Sequence, residues 1–345
     1  MRTPFLLSSP ICVGIITTNR CNLKCKHCIN NAGSNQSIEL SREKIFSLID
    51  QACDMGVHYI DFNGGEFFMR DDVDLLIDYA LLKGVKVTIT TNGTLINDTW
   101  IEKYVGKIAL IRISIDSDNK FEHDKFRGVE GAFEKTINNI SKLIASNFRV
   151  TILSTIRKSS IPRLFDFLSF LDALQVEALH TTLMIPAGRG ESLKNDVLTP
   201  LEHREFLNKC LEFSQKYNPK HLHILEESPQ AKLLEYELTG NCNNIPGKCG
   251  AAFTEMVVLN DGYVLPCAAF IALREQFRID SLNSNKYNLQ WIYNNSPLFN
   301  ALRDINSLEG KCKECKLKLQ CGGGCRISSI ISNNGLYGED VMCWY

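Results

Sequence analysis

From residue 11 to about residue 184, short β-branched apolar runs alternate with amphipathic stretches of helical period. The runs predict strands over residues 11–17, 57–62, 85–90, 108–115, 150–156 and 176–183. Helical patterns over 41–55, 71–83, 98–105, 133–145 and 161–171 follow the first five, with Ser41 and Asp98 placed as N-caps. The strands read as apolar on both faces and are separated by helices, which argues for parallel βα units. Six such units make either an α/β barrel short of the full eight or an open sheet. The pattern alone leaves both open.

Beyond residue 198 the character changes. Helices are predicted over 201–217 and 229–238, and from 242 onward Gly, Asn and Cys become dense. Residues 257–259 and 263–265 flank Asp261-Gly262, a pair suited to a tight hairpin turn. The expected division is a core over 1–197, bridging helices over 198–240, and a smaller domain over 241–345. Metal is expected to hold that domain together, because little apolar core remains for it.

Composition narrows the function classes. A net charge of −1 lacks the basic footprint of a nucleic-acid binder. The longest apolar run, 105–115, is broken by Lys107 and Arg112 and is too short to span a membrane. With no trustworthy cleavage site near Pro10, the chain reads as cytoplasmic. The 14 cysteines then carry the argument. Long helix and strand patterns do not suit a secreted disulfide scaffold, so clustered cysteines point to metal. Three fall at 21–28 and eight between 242 and 343, while Cys12, Cys53 and Cys210 sit alone in apolar patterns and read as core.

Cys21-Asn-Leu-Lys-Cys25-Lys-His-Cys28 lies just past the C-terminal end of the first strand, where parallel α/β folds gather ligands. Three thiolates without a fourth suit a four-iron cluster with one iron open, whereas a structural zinc site takes four ligands. The alternative is a zinc site completed by His27 or a distant cysteine. Asn63-Gly64-Gly65-Glu66 follows the second strand: the glycines admit close backbone approach, and the carboxylate suits an ammonium group. Thr91-Asn92-Gly93 follows the third strand and Ser114-Ile115-Asp116 ends the fourth. Hydroxyl, amide and carboxylate groups at successive strand ends are what a ribose and an amino-acid tail need.

On these residues the chain resembles the radical S-adenosylmethionine (radical SAM) superfamily, whose cluster motif is this C-x3-C-x2-C. The resemblance implies a partial (β/α)6 TIM-like barrel. It also implies a [4Fe-4S] cluster on Cys21, Cys25 and Cys28 whose open iron chelates S-adenosylmethionine. Reductive cleavage then yields a 5′-deoxyadenosyl radical that abstracts hydrogen from substrate. By position, Gly64, Gly65 and Glu66 match the motif for the methionine amino group. Asn92, Ser114 and Asp116 fall where ribose and carboxylate contacts lie, and His27 falls beside adenine. Phe67 departs from the proline usual after Gly-Gly-Glu. His123-Asp-Lys-Phe-Arg127-Gly128, with Gly131, matches a stretch of one branch of the family, and Arg127 would pair with a carboxylate or form a surface salt bridge.

Cys249, Gly262 and Cys267, then Cys312-x2-Cys315-x5-Cys321-x3-Cys325 and Cys343, resemble the auxiliary-cluster extension called SPASM. Two more four-iron clusters need eight thiolates. The resemblance implies that Cys242, Cys249, Cys267 and Cys325 hold one, and Cys312, Cys315, Cys321 and Cys343 the other. That makes three [4Fe-4S] clusters in all. An unligated Cys242 would leave an open iron for substrate. A zinc ribbon is the alternative for 312–325. Lys311, Lys313, Lys316 and Lys318 interleave with this field, either as a docking patch for flavodoxin or ferredoxin or as a solvated basic face.

Proteins similar over both motifs mostly modify ribosomally made peptides. Residues 186–190 (Pro-Ala-Gly-Arg-Gly) and Gly323-Gly324-Cys325-Arg326 look like the PQQ and mycofactocin maturases and their haem-pathway relatives. The expected function is therefore oxidation or crosslinking of a peptide, with the auxiliary clusters accepting an electron. The alternatives are a tetrapyrrole or other small-molecule substrate, and a non-catalytic metal scaffold. Because strand one starts near residue 11, the reading allows either a separate leader-binding protein or a substrate without a leader. Ala268 stands where sulfatase-maturing relatives carry an aspartate base, which disfavours that activity. The seven histidines show no hydrolase spacing, and no general base can be assigned from the sequence.

Overall fold

The computed structural model describes residues 7–33, 39–225, 228–240, 249–277 and 282–345. Six parallel strands, β1 (Cys12–Ile16), β2 (Tyr59–Asn63), β3 (Lys86–Thr91), β4 (Leu110–Ser114), β5 (Val150–Ile156) and β6 (Ala178–Leu183), form the predicted series. Parallel neighbours need crossovers, and helices supply them: α1 (Arg42–Asp54), α2 (Val73–Leu82), α3 (Asp98–Tyr104), α4 (Lys120–Arg127), α5 (Ala132–Ala145) and α6 (Leu164–Ala173). Two further strands extend the row at opposite sides. Short β7 (His223–Leu225), beyond the six predicted strands, pairs with β6, while β8 (Glu255–Val258) lies parallel to β1 with Cys12 opposite Glu255. With β9 (Val264–Leu265) the order is β7-β6-β5-β4-β3-β2-β1-β8-β9. The sheet is not closed, since β7 and β9 are its edges. An unclosed parallel sheet of this type, curved around a cavity, is the partial barrel that the resemblance implies.

The strands are not apolar on both faces. Val13 and Ile15, Ile60 and Phe62, Val87 and Ile89, and Ile111 and Ile113 join one continuous core with the helices. Their alternate neighbours Cys12, Gly14, Asp61, Asn63, Thr88 and Arg112 line a cavity of about 900 Å³ inside the curved sheet. A period of two forces the two sets to opposite faces. The concave face is polar because it borders this cavity rather than packed side chains.

Helix α1 shows how the convex face is covered. Ile45, Leu48, Ile49 and Ala52 recur at helical spacing and are buried. Ser41 caps the helix, its Oγ accepting the Lys44 N–H at 3.1 Å. Each large side chain buried this way contributes roughly 1.5–3 kcal/mol. At α3 the cap is Asn97, which accepts the Trp100 N–H, so Asp98 is the first helical residue rather than the cap. Between β4 and β5 the chain forms two helices where one was predicted. Asn119 caps α4 by accepting from Phe121 and Glu122 N–H, and Gly128 at φ +76° ends it. This extra helix brings His123, Phe126 and Arg127 to the strand ends.

Beyond residue 249 more apolar core is present than the density of Gly, Asn and Cys suggests. Tyr293 and Phe299 are fully buried in the same core as the sheet. Buried Arg303 donates to Ala252 O at 2.9 and 2.7 Å and to Tyr293 O at 2.6 Å. The hairpin forms as predicted, with Val258 opposite Val264 and Gly262 at φ +91° in the turn. Among the described residues, no helix is long and apolar enough to cross a membrane.

Candidate active site

The loop leaving β1 lies against the loop leaving β2, and their main chains meet directly. Gly65 N–H donates to Thr18 O at 2.7 Å and Glu66 N–H to Arg20 O at 2.8 Å. A Cβ on Gly64 would stand 2.7 Å from Thr18 O, and one on Gly65 only 2.3 Å from Arg20 O. The Gly-Gly pair is what permits this approach. Phe67 follows because the turn buries its ring, which stacks on Phe62 at 5.1 Å.

The three cysteines come next on this loop. Buried Cys25, Leu23 and Ala132 form one small apolar cluster, and Cys21, Cys28 and Val129 pack against it. Each sulfur has its own donor: Leu23 N–H to Cys21 at 3.4 Å, Ala32 N–H to Cys28 at 3.4 Å, and Arg127 Nη1 to Cys25 at 3.7 Å. Burial pushes the Cys21 thiol up to about 12 and raises that of Cys25, which Arg127 partly offsets. Thiols so disfavoured as anions in isolation need a cationic centre to become thiolates. No three His, Cys, Asp or Glu side chains among the described residues converge on a single-ion site.

Two arginines that sequence reading missed hold this loop. Arg189 Nε donates to Cys25 O at 2.8 Å and Nη1 to Ala32 O at 2.7 Å, while its N–H donates to Cys28 O at 3.1 Å. Gly188 precedes it at φ +57°, where a Cβ would stand 2.6 Å from Cys28 O. The run at 186–190, noted only as a family likeness, therefore has a physical task. Arg70 grips the loop's other margin, donating to Thr17 O at 3.0 Å and Leu40 O at 3.1 Å while paired with Asp72. Beside Asp71 and Asp72 it reads as a surface charge, so no sequence signal marks it.

The expected cofactor contacts sit at the strand ends, yet several are already engaged. The Glu66 carboxylate is buried. Its Oε1 accepts from Phe68 N–H at 3.1 Å and Thr91 Oγ1 at 2.7 Å, and its Oε2 from Asn92 N–H at 2.8 Å. It ties the β2 and β3 loops together. Burial raises its carboxyl above the usual range despite these donors. Asn92 Nδ2 donates to Asn22 Oδ1 at 2.9 Å, and its Oδ1 accepts from Thr94, so it braces the cysteine loop. Asp116 is buried, accepts the Thr155 N–H at 2.9 Å, and lies 2.7 Å from Arg127 Nη2. The Arg127 pair is thus internal rather than at the surface. Burial is the largest single influence on the Asp116 carboxyl and raises it, but Arg127 together with His27, His123 and the Thr155 N–H outweighs that and holds it below the usual range. Ser114 closes β4 at the same end.

His27 stacks on Phe126 with ring centroids 4.2 Å apart, and Arg157 lies 3.8 Å over the other ring. Burial, reinforced by Arg127, pushes the His27 imidazole down to about 3, and its Nδ1 has no hydrogen-bond partner.

The second cysteine field divides in two. Cys249, Cys267 and Cys325 line one small pocket with Phe270 and Arg326. Cys312, Cys315, Cys321 and Cys343 line another with Gln230 and Asp340. Burial pushes the Cys249 and Cys321 thiols up to about 12. Cys242 lies outside the described residues. Cys210 is buried as expected, whereas Cys12 borders the central cavity. That cavity extends from Asn63 and Thr182 at the strand ends to Glu255 and Ala268, next to Cys267. In its wall Arg112 Nη1 lies 3.0 Å from Asp61 Oδ1. Lys311, Lys313 and Lys316 are exposed with Glu309 and Glu314 among them, a mixed and solvated face.

Comparison with known proteins agrees with this geometry. A model described as the radical SAM superfamily matches residues 15–159, and one described as an iron–sulfur cluster-binding SPASM domain matches 249–316. The chain is 27% identical to an AdoMet-dependent heme synthase of Methanosarcina barkeri, over 99% of this chain and 98% of that protein. It is 27% identical to the mycofactocin maturase MftC of Mycolicibacterium smegmatis, covering 98% and 83% of the two chains. The fold matches Streptococcus suis SuiB bound to S-adenosylmethionine with a TM-score of 0.81 at 21% identity, over 99% of this chain and 78% of that one. The chain carries a radical SAM domain over residues 15–159 and a SPASM domain over 249–316, domains that imply [4Fe-4S] clusters and S-adenosylmethionine as cofactors.

Proposed function

We propose that Cys21, Cys25 and Cys28 hold the S-adenosylmethionine-binding [4Fe-4S] cluster of a radical oxidoreductase. One observation carries this reading: three cysteines in one small cluster, Cys25 buried and Cys21 and Cys28 partly so, each sulfur with its own donor, beside a Gly-Gly turn and with no fourth cysteine in that cluster among the described residues. Bound there, the cluster would supply the electron that splits S-adenosylmethionine into methionine and the radical that takes hydrogen from substrate. The protein's part is to position. Gly64 and Gly65 bring two backbones together at the open side of the loop. Glu66 and Asn92 fix that loop to β3 and to Asn22. The neutral His27 ring, stacked on Phe126, offers a flat apolar neighbour and an unused acceptor for an adenine.

Cys249, Cys267 and Cys325, with Cys242, would hold one auxiliary cluster, and Cys312, Cys315, Cys321 and Cys343 the other. The separate pockets favour this partition over a zinc ribbon. Substrate would occupy the central cavity, whose lining reaches Ala268, the residue after Cys267. Its volume of about 900 Å³ falls within the range of small-molecule sites. Arg112 in its wall suits a carboxylate on the substrate.

A ribosomal peptide remains the first reading, in keeping with the mycofactocin maturase. A tetrapyrrole is the second, favoured by the heme synthases matched over nearly their whole length. Optical titration with a carboxylated iron porphyrin separates the two: a saturable Soret shift supports the tetrapyrrole, whereas no shift, together with a mass change in a co-expressed peptide, supports the peptide. Flavodoxin or ferredoxin is the proposed electron donor.

A further inference from the structure

Resting on the assignment of the first cluster to Cys21, Cys25 and Cys28, we propose that Arg127, held by Asp116, sets the reduction potential of that cluster through the Cys25 sulfur. Arg127 is enclosed by protein, with 8% of its side chain exposed and none of Asp116's. Nη2 is committed to Asp116 at 2.7 Å and Nη1 to Cys25 Sγ at 3.7 Å, while Nε has no hydrogen-bond partner among the described residues. A buried permanent cation is costly unless anions meet it. Here one anion is a carboxylate and the second is a sulfur that becomes anionic on ligating iron.

The arrangement is rigid. Arg127 O accepts the Lys24 N–H at 3.1 Å, so the backbone carrying the guanidinium is tied to the loop carrying the cysteines. Gly128 permits this, since a Cβ there would stand 2.4 Å from Lys24 O. Asp116 is fixed in turn by the Thr155 N–H. Reduction adds negative charge to the cluster, so a nearby cation and an N–H···S bond favour the reduced state. Asp116 opposes that effect from one residue further away. The pair thus acts as a setting, raised by the guanidinium and moderated by the carboxylate. Arg127 is a positioning and tuning residue, acting through Cys25.

The test is an anaerobic redox titration of the reconstituted holoenzyme, following by EPR the cluster signal that changes shape when S-adenosylmethionine is added. Arg127→Gln should lower the ratio of reduced to oxidised cluster at a fixed potential about tenfold, which is about 59 mV for one electron. Asp116→Asn keeps the acceptor for Thr155 and should move the ratio the other way. Arg127→Lys, retaining charge without the fork, should fall between wild type and Arg127→Gln. Equal potentials in wild type and both charge variants overturn the proposal. So does a downward shift in both variants, since a merely structural role loosens the site whichever partner is removed. A wild-type holoenzyme with no signal responsive to S-adenosylmethionine overturns the cluster assignment itself, and the tuning with it.

Discussion

Replacing Glu66 with Gln separates two tasks for this carboxylate, holding a loop or holding a cofactor's ammonium group. Glu66 is 1% exposed and accepts from Phe68, Thr91 and Asn92. An amide of the same shape keeps only one oxygen. If that oxygen faces Phe68 and Thr91, the new NH2 group confronts the Asn92 N–H. If it flips, the NH2 group confronts Phe68 N–H instead. Either way a buried backbone donor loses its partner, at a cost of about 1–3 kcal/mol. For 345 residues, 1 kcal/mol corresponds to about 1.4 °C in Tm. The cluster-free variant should therefore melt about 1.5–4 °C below wild type by circular dichroism. An unchanged melting temperature with a large loss of S-adenosylmethionine affinity in the reconstituted protein would refute the loop-holding role.

Gly65→Ala places a Cβ 2.3 Å from Arg20 O, so the two loops must part; a loss of about 1–3 kcal/mol is expected, with iron lost from the first site and retained in the C-terminal region by elemental analysis. Arg189→Ala frees the carbonyls of Cys25 and Ala32; at about 1.5–3 kcal/mol per bond to a charged group, first-site iron occupancy should fall at limiting iron, measured by titration. His27, His123 and His203 are held neutral by burial, down to about 3, about 4 and about 4. Below the unfolded value near 6.5 the unfolded chain takes up protons that the folded one refuses, so stability falls as pH drops from about 6.5 toward 4. Buried Glu66, with its raised carboxyl, works against this trend. The histidine contribution is about 1.4 kcal/mol per pH unit for each, and urea midpoints of the cluster-free protein at pH 7 and pH 5 read it, with His203→Gln expected to flatten the dependence.

Much of this architecture is legible in the chain because the convex faces of the strands are periodic and apolar. Ile60 with Phe62 and Ile111 with Ile113 mark strands whatever lies on the other side. The concave face was misread as apolar, although Asp61, Thr88 and Arg112 occupy its alternate positions; a cavity, unlike a packed core, tolerates charge. Helix α4 escaped because its sequence, Lys-Phe-Glu-His-Asp-Lys-Phe-Arg, has few apolar residues, and only Asn119 and Gly128 announce its ends. At the candidate site, cysteine spacing singled out the loop that the structure packs into one small cluster, since ligand chemistry restricts residue type. Roles were harder to read. Glu66, Asn92 and Asp116 stand where a cofactor contact was expected, but each has a hydrogen-bond or ion-pair partner on a distant segment, and no local pattern encodes those partners. Arg70 and Arg189 act on main-chain carbonyls, which any residue supplies, so the sequence around them carries no mark of the partner.

The most direct measurement compares wild type with the Cys21→Ala, Cys25→Ala, Cys28→Ala triple variant, both reconstituted without oxygen, by iron content and by 5′-deoxyadenosine formation under dithionite. The expected result is a variant that keeps its auxiliary iron but forms no 5′-deoxyadenosine. Persistent product, or zinc in place of iron in anaerobically purified wild type, would contradict it.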